Sequence, residues 1–261
     1  MKVSKKEVDE RRKKVMKVIQ NEQKANVIEL AERFQVSTLT IRRDLQFWEE
    51  KGAIIRNYGG AYLIQEFVEN DEYDRERYMR AIAKRAASYI VNNDVIFLNS
   101  SKTGLMILEF IKHKKVTVFT NNAKAINYTP DSLVTVVFTG GEVRFPKNSM
   151  SGNVALVTLS TVFATKCFIG CSGLDETGVS TELMTETLIN QTMLSRTRGE
   201  KFLLCDHYKF GLYFGFHYAS FDTIDYLITD HEANREIIGA IKNRHDTEII
   251  QVEPMMNLNA G

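Results

Sequence analysis

The residues of this chain best placed to do chemistry form a short polar run, Ser37, Thr38, Thr40, Arg42 and Arg43, inside the segment VSTLTIRRDL. An arginine can pair bidentately with a guanine edge. A threonine can hydrogen-bond a base or touch a thymine methyl, and a helix N-terminus favours a phosphate. The pattern works only if the helix that carries it hides its other face. Ile41, Leu45 and Trp48 recur at i, i+4 and i+7, a single apolar stripe that leaves Thr38, Thr40, Arg42 and Arg43 pointing outward. Arg56, Asn57 and Tyr58 lie in an expected hairpin just downstream, placed to follow a phosphate backbone or enter a minor groove. By pattern alone the same run also fits a charged amphipathic helix of a protein-docking module, so both readings stand at this point.

Loops of small polar residues supply a second candidate chemistry. Asn99, Ser100, Ser101, Lys102, Thr103 and Gly104 follow one apolar run, Thr120, Asn121 and Asn122 the next, and Thr139, Gly140 and Gly141 the third, with residues 170–173 and 206–211 in comparable positions later. In open α/β sheets ligands gather at the carboxyl ends of the strands, where backbone N–H groups face an anion, so the loops predict a site for a phosphate or a hydroxyl-rich ligand. A pair such as Gly140 and Gly141 also serves simply to end a strand. Asp175, Asp206 and Glu142 are carboxylates near these loops, as an aldose–ketose isomerisation would need. No Ser-His-Asp order, zinc signature, P-loop or complete dinucleotide fingerprint accompanies them. The reading is a binding protein without cofactor or metal, with a sugar-phosphate isomerase-like enzyme as the alternative.

The elements that must position these residues are legible in outline. Residues 7–22 predict a helix with Val8, Val15, Val18 and Ile19 on one side, and residues 27–34 a second, capped by Asn26, with Ile28, Leu30, Ala31 and Phe34 toward a core. Ser37 caps the third, which runs to about Lys51, where Gly52 stops it. GAIIRNYGGAYLI reads as two short strands whose glycines permit positive backbone angles in a tight turn. Three helices and a hairpin make a winged helix-turn-helix over residues 1–64.

Residues 65–76 hold six acidic residues and one basic one, a composition that suits a linker. From about Asp74 a helix leads into apolar strands at 94–99, 116–120, 134–139, 166–170, 201–205 and 226–229, with helical segments between most of them. The fold class is therefore α/β: a small winged helix, then a larger domain over 77–261 with a mostly parallel sheet covered by helices.

Charge agrees with this division. Residues 1–64 carry 14 Lys and Arg against 9 Asp and Glu, and residues 65–261 carry 20 against 24, so the front of the chain is the part suited to an anionic polymer. The run Arg11, Arg12, Lys13, Lys14 is by itself an ordinary solvated helix face. The N-terminus lacks the apolar core of a signal peptide and no apolar stretch is long enough to span a bilayer, which predicts a soluble, cytoplasmic chain with no membrane partner. Cys167 and Cys171, four apart in a strand, would lie roughly 13 Å from each other, too far for a disulfide. The five histidines form no ligand pair with them, so the three cysteines read as ordinary buried thiols.

The stretch VIELAERFQVSTLTIRRDLQFWEEKGAIIRNYGGAYL closely resembles the N-terminal domain of the DeoR family of bacterial regulators, matching ELA, F, VS, TIRRDL, G, R and GGA in order. TNN, TGG, the segment from Ser149 to Gly152, GCSGLDETGVST and DHYKFG continue the resemblance over nearly the whole chain. It implies a repressor of carbohydrate metabolism that binds double-stranded operator DNA as a homo-oligomer, dimer or tetramer, and answers to a phosphorylated sugar or related metabolite. Its sensor domain is similar in fold to ribose-phosphate isomerases. The resemblance also implies that Lys209 contacts the phosphate. The chain departs from the family where an acid normally follows the first strand of the sensor, for here stand Asn99, Ser101 and Lys102. Lys102 then reads two ways: as a fixed charge for an anion, or as bulk that leaves a regulator with a degenerate, ligand-insensitive sensor.

Overall fold

The computed structural model describes residues 5–22, 24–50, 53–56, 59–63, 65–128, 131–145 and 147–255. The chain divides into two compact units, Met1–Asp74 and Arg75–Gly261.

The first unit contains α1 (Lys5–Glu22), β1 (Lys24–Asn26), α2 (Val27–Arg33), α3 (Thr38–Glu50), β2 (Ile54–Arg56) and β3 (Gly60–Leu63). Val15, Met16, Val18 and Ile19 of α1 pack with Leu30, Ala31, Ile41, Leu45 and Ile54 in one core, with Phe34 and Trp48 at its margin. The Asn26 side chain accepts from the Ile28 amide, capping α2 as its sequence predicts. Ile28 itself differs from expectation and is exposed. The inward stripe of α2 is Val27, Leu30 and Ala31, at i, i+3 and i+4, which turns Ile28 to the outside.

The wing has three strands rather than two. β3 pairs antiparallel with β2 and, on its other edge, with β1, in the order β1-β3-β2. Gly60 has a role other than the positive backbone angle expected of it: a Cβ there would meet the Ala25 carbonyl oxygen at 2.0 Å, so glycine is required for β1 to approach. Lys51, Gly52, Asn57 and Tyr58, to which the sequence assigns the helix stop and the hairpin tip, lie outside the described residues.

The acidic segment expected as a linker is helical. It forms the start of α4 (Gln65–Ala87), and the boundary between the units falls inside this helix. The acidic composition signals solvation, but Gln, Glu and Arg are good helix formers, and acidic residues favour the first turns of a helix. No Gly or Pro interrupts residues 65–87.

After α4 the second unit runs β4 (Val95–Leu98), α5 (Lys102–Met106), β5 (Val116–Thr120), β6 (Val134–Phe138), β7 (Glu142–Arg144), β8 (Ser149–Ser151), α6 (Asn153–Ser160), β9 (Lys166–Gly170), β10 (Gly173–Asp175), β11 (Gly178–Thr181), α7 (Met184–Ser195), β12 (Lys201–Leu204), β13 (Phe216–Ala219), β14 (Tyr226–Asp230), α8 (Arg235–Arg244) and β15 (Glu248–Val252). Seven strands form one parallel sheet in the order β15-β14-β12-β9-β4-β5-β6. A hairpin of β7 and β8 and a three-stranded antiparallel sheet, β10-β11-β13, are added to it.

The strands of this sheet bury both faces. Ile96, Leu98, Phe168, Phe202 and Ile228 belong to one core with Ile82, Ala83 and Ala86 of α4. Phe97, Cys167, Ile169, Leu203 and Leu227 alternate with them and join a second core with Ile189 and Met193 of α7. Phe168, Phe202 and Tyr226 stack in a row across three neighbouring strands, with centroids 4.6 and 4.7 Å apart. Because all seven strands run the same way, their carboxyl ends share one edge, and the loops from Asn99, Asn121, Thr139, Cys171 and Asp206 gather there.

Candidate functional site

On α3 the sequence folds into a helix with one dry side. Ile41 and Leu45 are fully buried and Trp48 is half-buried, its Nε1 donating to the Arg12 carbonyl at 3.0 Å. Ser37 caps the helix, its Oγ accepting from the Thr40 amide at 3.1 Å and lying 2.9 Å from Thr40 Oγ1. Two members of the expected DNA set thus build the helix end. Thr38, Arg42 and Arg43 are exposed, and neither arginine side chain makes a hydrogen bond or ion pair among the described residues. At roughly 100° per residue the outward arc also includes Leu39 and Gln46, which the polar pattern left out.

Two neighbouring cations are used differently. Arg11 Nε lies 2.6 Å from Asp44 Oδ2 and Arg12 Nε 3.2 Å from Asp44 Oδ1, so the run that reads as a solvated face in fact clamps a buried carboxylate between α1 and α3. Arg56, expected at the DNA backbone, binds the Glu49 carboxylate through Nε at 2.7 Å, tying β2 to the end of α3. That hydrogen bond holds the Glu49 carboxyl below its ordinary range.

In the second unit the loop after β4 is built around Asn99. Its Oδ1 accepts from the amides of Gly170 at 2.9 Å and Ser101 at 3.2 Å, and its Nδ2 donates to the Gly170 carbonyl at 2.9 Å and Asn190 Oδ1 at 3.0 Å. Asn99 is buried with its hydrogen-bonding capacity spent within the protein, so it shapes the loop. Ser101 caps α5 by accepting from the Gly104 amide, and a Cβ at Gly104 would meet that hydroxyl at 2.7 Å. Thr103 is buried, and Lys102 is half exposed with its Nζ 3.5 Å from Glu76.

The remaining expected residues converge on the same edge. Thr120 Oγ1 accepts from the Asn122 amide, and Asn122 Nδ2 donates to the Ser101 carbonyl. Asn121 Nδ2 donates to the Met150 carbonyl, whose own amide returns a bond to the Asn121 carbonyl, joining this loop to β8. Gly141 has φ 100° and a Cβ there would lie 2.3 Å from the Ser151 carbonyl oxygen, so the Gly140-Gly141 turn lets β8 close in. Gly152 begins α6 with φ 87°. Three buried polar atoms here, Asn121 Oδ1, Ser149 Oγ and Ser151 Oγ, have no partner among the described residues. The Lys209 ammonium donates to the Cys171 carbonyl.

Several groups of this site escaped sequence reasoning. Glu186, buried in the first turn of α7, accepts from Ser100 Oγ at 3.2 Å and Thr181 Oγ1 at 2.5 Å, and Lys147 Nζ lies 3.4 Å from it and from Ser172 Oγ. Glu186 and Asn190 are two polar residues at i and i+4 on the inward face of a helix, and that spacing was the available signal. Asp206 is fully buried and gripped by one edge of the Arg75 guanidinium, Nε and Nη2, at 3.1–3.3 Å, while His207 Nδ1 lies 2.8 Å from Asp230. Of the carboxylates named for an isomerase, Asp206 is thus clamped, Glu142 is exposed beside Arg144, and Asp175 bonds Thr177.

Both parts of the chain match known families. The DeoR-like helix-turn-helix domain matches residues 11–67 and the DeoR C terminal sensor domain residues 75–231. The HTH-type transcriptional regulator YulB of Bacillus subtilis is 30% identical over 91% of this chain and 94% of its own length. GolR of Listeria innocua, also an HTH-type transcriptional regulator, is 31% identical over 87% of this chain and 92% of its own. The lactose phosphotransferase system repressor of Staphylococcus aureus is 27% identical over 87% and 94%. Among solved structures, ribose 5-phosphate isomerase from Plasmodium falciparum aligns at 14% identity over 51% of this chain and 52% of that one, with a TM-score of 0.35. No helix among the described residues is long and apolar enough to cross a membrane. An exposed arginine face on α3, a parallel sheet with polar loops at its carboxyl edge, and two domain matches in the corresponding order have one account: the chain belongs to the DeoR family of DNA-binding, HTH-type transcriptional regulators.

Proposed function

We propose that the chain is a repressor of carbohydrate metabolism that grips operator DNA through α3 of each copy in a homo-oligomer, and that a phosphorylated sugar at the carboxyl edge of the parallel sheet changes that grip. The observation that carries the sensor half is the cluster of buried, unpartnered oxygens, Asn121 Oδ1 in the loop after β5 and Ser149 Oγ and Ser151 Oγ on β8. Each such atom costs roughly 1–3 kcal/mol when it is left unpaired, a cost that sugar hydroxyls would offset. Lys209 and Lys147 supply the positive charge for the phosphate, in exchange for the carbonyl and carboxylate that they now hold. A relative named as repressor of a lactose phosphotransferase system supports a sugar-linked effector. Thr38, Arg42 and Arg43 read the major groove, with Arg56 holding the wing in place.

Coupling is then the difference in effector affinity between the DNA-competent arrangement and the other. A screen of phosphorylated sugars by thermal shift tests the site. One of them should stabilise the wild type, by about 2.7 kcal/mol at a hundredfold excess over its dissociation constant, and Lys209→Ala should lose most of that stabilisation. A variant that responds to the same sugar phosphate as strongly as the wild type would overturn the assignment of Lys209.

A further inference from the structure

Two of the three cysteines, distant in the chain, meet in the folded protein. Cys171 follows β9 and Cys205 follows β12, thirty-four residues further on, and these strands are parallel neighbours with Leu203 opposite Ile169 and Leu204 opposite Gly170. The next step of that register places Cys205 opposite Cys171. Side chains alternate along each strand, so both cysteines join Ile169 and Leu203 in the second core, and their sulfurs lie 3.6 Å apart. Neighbouring strands are spaced about 4.8 Å apart, within the Cα separations of roughly 4.4–6.8 Å that a disulfide spans. Side-chain rotation alone then has to shorten the gap to the bond length of about 2.05 Å.

We infer that Cys171 and Cys205 are a redox modification site, closing reversibly to a disulfide under hydrogen peroxide. In the first step the Cys171 thiolate attacks one oxygen of peroxide, the O–O bond breaks, and hydroxide leaves to take up the thiol proton as water; the sulfur is now a sulfenic acid. In the second the Cys205 sulfur attacks that sulfenic sulfur, the S–O bond breaks, and a second water departs with the Cys205 proton. Two thiols and one peroxide become one disulfide and two waters, and a dithiol reductant reverses the change.

The environment assigns these roles. Contact with the Cys205 thiol, aided by the Lys209 ammonium and against the opposing effect of burial, holds the Cys171 thiol below its ordinary range. Burial pushes Cys205 well above it. Both thiols are buried, Cys205 completely and Cys171 with 7% of its surface accessible, which makes Cys171 the more reachable, as suits the attacking thiol. Cys167 is the internal control: it is fully buried, pushed up to about 12 by burial, and sits opposite Lys201, with no cysteine as partner. The pair flanks the proposed effector edge, since the Cys171 carbonyl receives Lys209 and Cys205 precedes Asp206.

The test uses the full chain and needs neither DNA nor sugar, so its outcome is independent of the effector assignment. The reduced protein is treated with hydrogen peroxide, denatured, capped with N-ethylmaleimide and weighed intact. The expected product has lost about 2 Da before capping and accepts a single maleimide, mapped to Cys167, and dithiothreitol restores all three sites. Cys205→Ser, checked for a wild-type melting curve, should leave a sulfenic acid on Cys171 that dimedone captures. Should that variant fail to fold, peptide mapping of the Cys171–Cys205 linkage in the wild type decides alone. Three maleimides after peroxide treatment, a bridge that includes Cys167, or stable higher oxides without a linkage would each overturn the inference.

Discussion

The outward face of α3 and the polar edge of the parallel sheet both carry cations, yet they hold them differently. The side chains of Arg42 and Arg43 are exposed with no partner among the described residues. At the sheet edge Lys209 holds the Cys171 carbonyl, Lys147 faces Glu182 and Glu186, and Lys102 faces Glu76. A polyanion can therefore meet the first surface without breaking any protein contact. A phosphate at the second would exchange partners with lysines already paired, so that part of its binding free energy would be a difference between two sets of bonds. That difference suits a switch, because an exchange of partners rearranges the protein whereas simple addition does not.

The same unit also shows what happens when arginines are given a carboxylate. Asp44→Ala should have the largest effect on stability, since it leaves Arg11 and Arg12 facing a dry position vacated by their buried partner. We expect a loss of about 3 kcal/mol in denaturant unfolding. The lone tryptophan, Trp48, bonds the Arg12 carbonyl beside this clamp, so its fluorescence reports on the unit directly. An unchanged Trp48 transition would mean that the clamp is decorative and that the contrast with Arg42 and Arg43 is only one of exposure.

In the second unit Asn99→Asp sharpens the comparison from the other side. It restores the acid normal to the family but turns two donors into acceptors that face the Gly170 carbonyl and Asn190 Oδ1. The expected cost is roughly 2 kcal/mol at neutral pH. Protonation returns one donor, so the folded variant holds its proton to a higher pH than the unfolded chain, and the penalty shrinks as the pH falls. A pH-independent deficit in thermal unfolding would contradict this.

The smallest expected effect belongs to Glu49 and Arg56, an exposed pair. Because Arg56 lowers the folded carboxyl, its contribution is complete above the unfolded value of about 4.3 and is lost as the pH falls through the lower folded value. Glu49→Gln should therefore differ slightly from wild type at neutral pH and converge with it in acid, as denaturant midpoints across that range would show.

Helix α3 was legible because its evidence is local: a stripe at i, i+4 and i+7, a serine cap, and two arginines on the far side. The parallel strands were legible from apolar runs, and the loops at their carboxyl ends from the small polar residues there. What escaped depends on distant contacts. β1 is only Lys-Ala-Asn and has no alternation of its own, and exists because β3 offers an edge. Asp44 and its arginines are more than thirty residues apart in sequence. Glu186 and Asn190 reach the first loop from α7, almost a hundred residues on, and the full use of Asn99 shows only in three dimensions. The helical form of the acidic start of α4 escaped for a different reason: composition reports preference for water, and helix formation is compatible with that preference.

The central claim is that Arg42 and Arg43 are free to engage DNA. Its most direct test is fluorescence anisotropy against a duplex that the wild type selects from a random pool, repeated across salt concentrations with Arg42→Ala, Arg43→Ala and the double variant. Each single change should weaken binding by roughly 1–3 kcal/mol, and where the lost contact is to a phosphate, flatten the salt dependence by about one unit, with melting unchanged. Affinities and salt slopes equal to wild type in all three variants would contradict it.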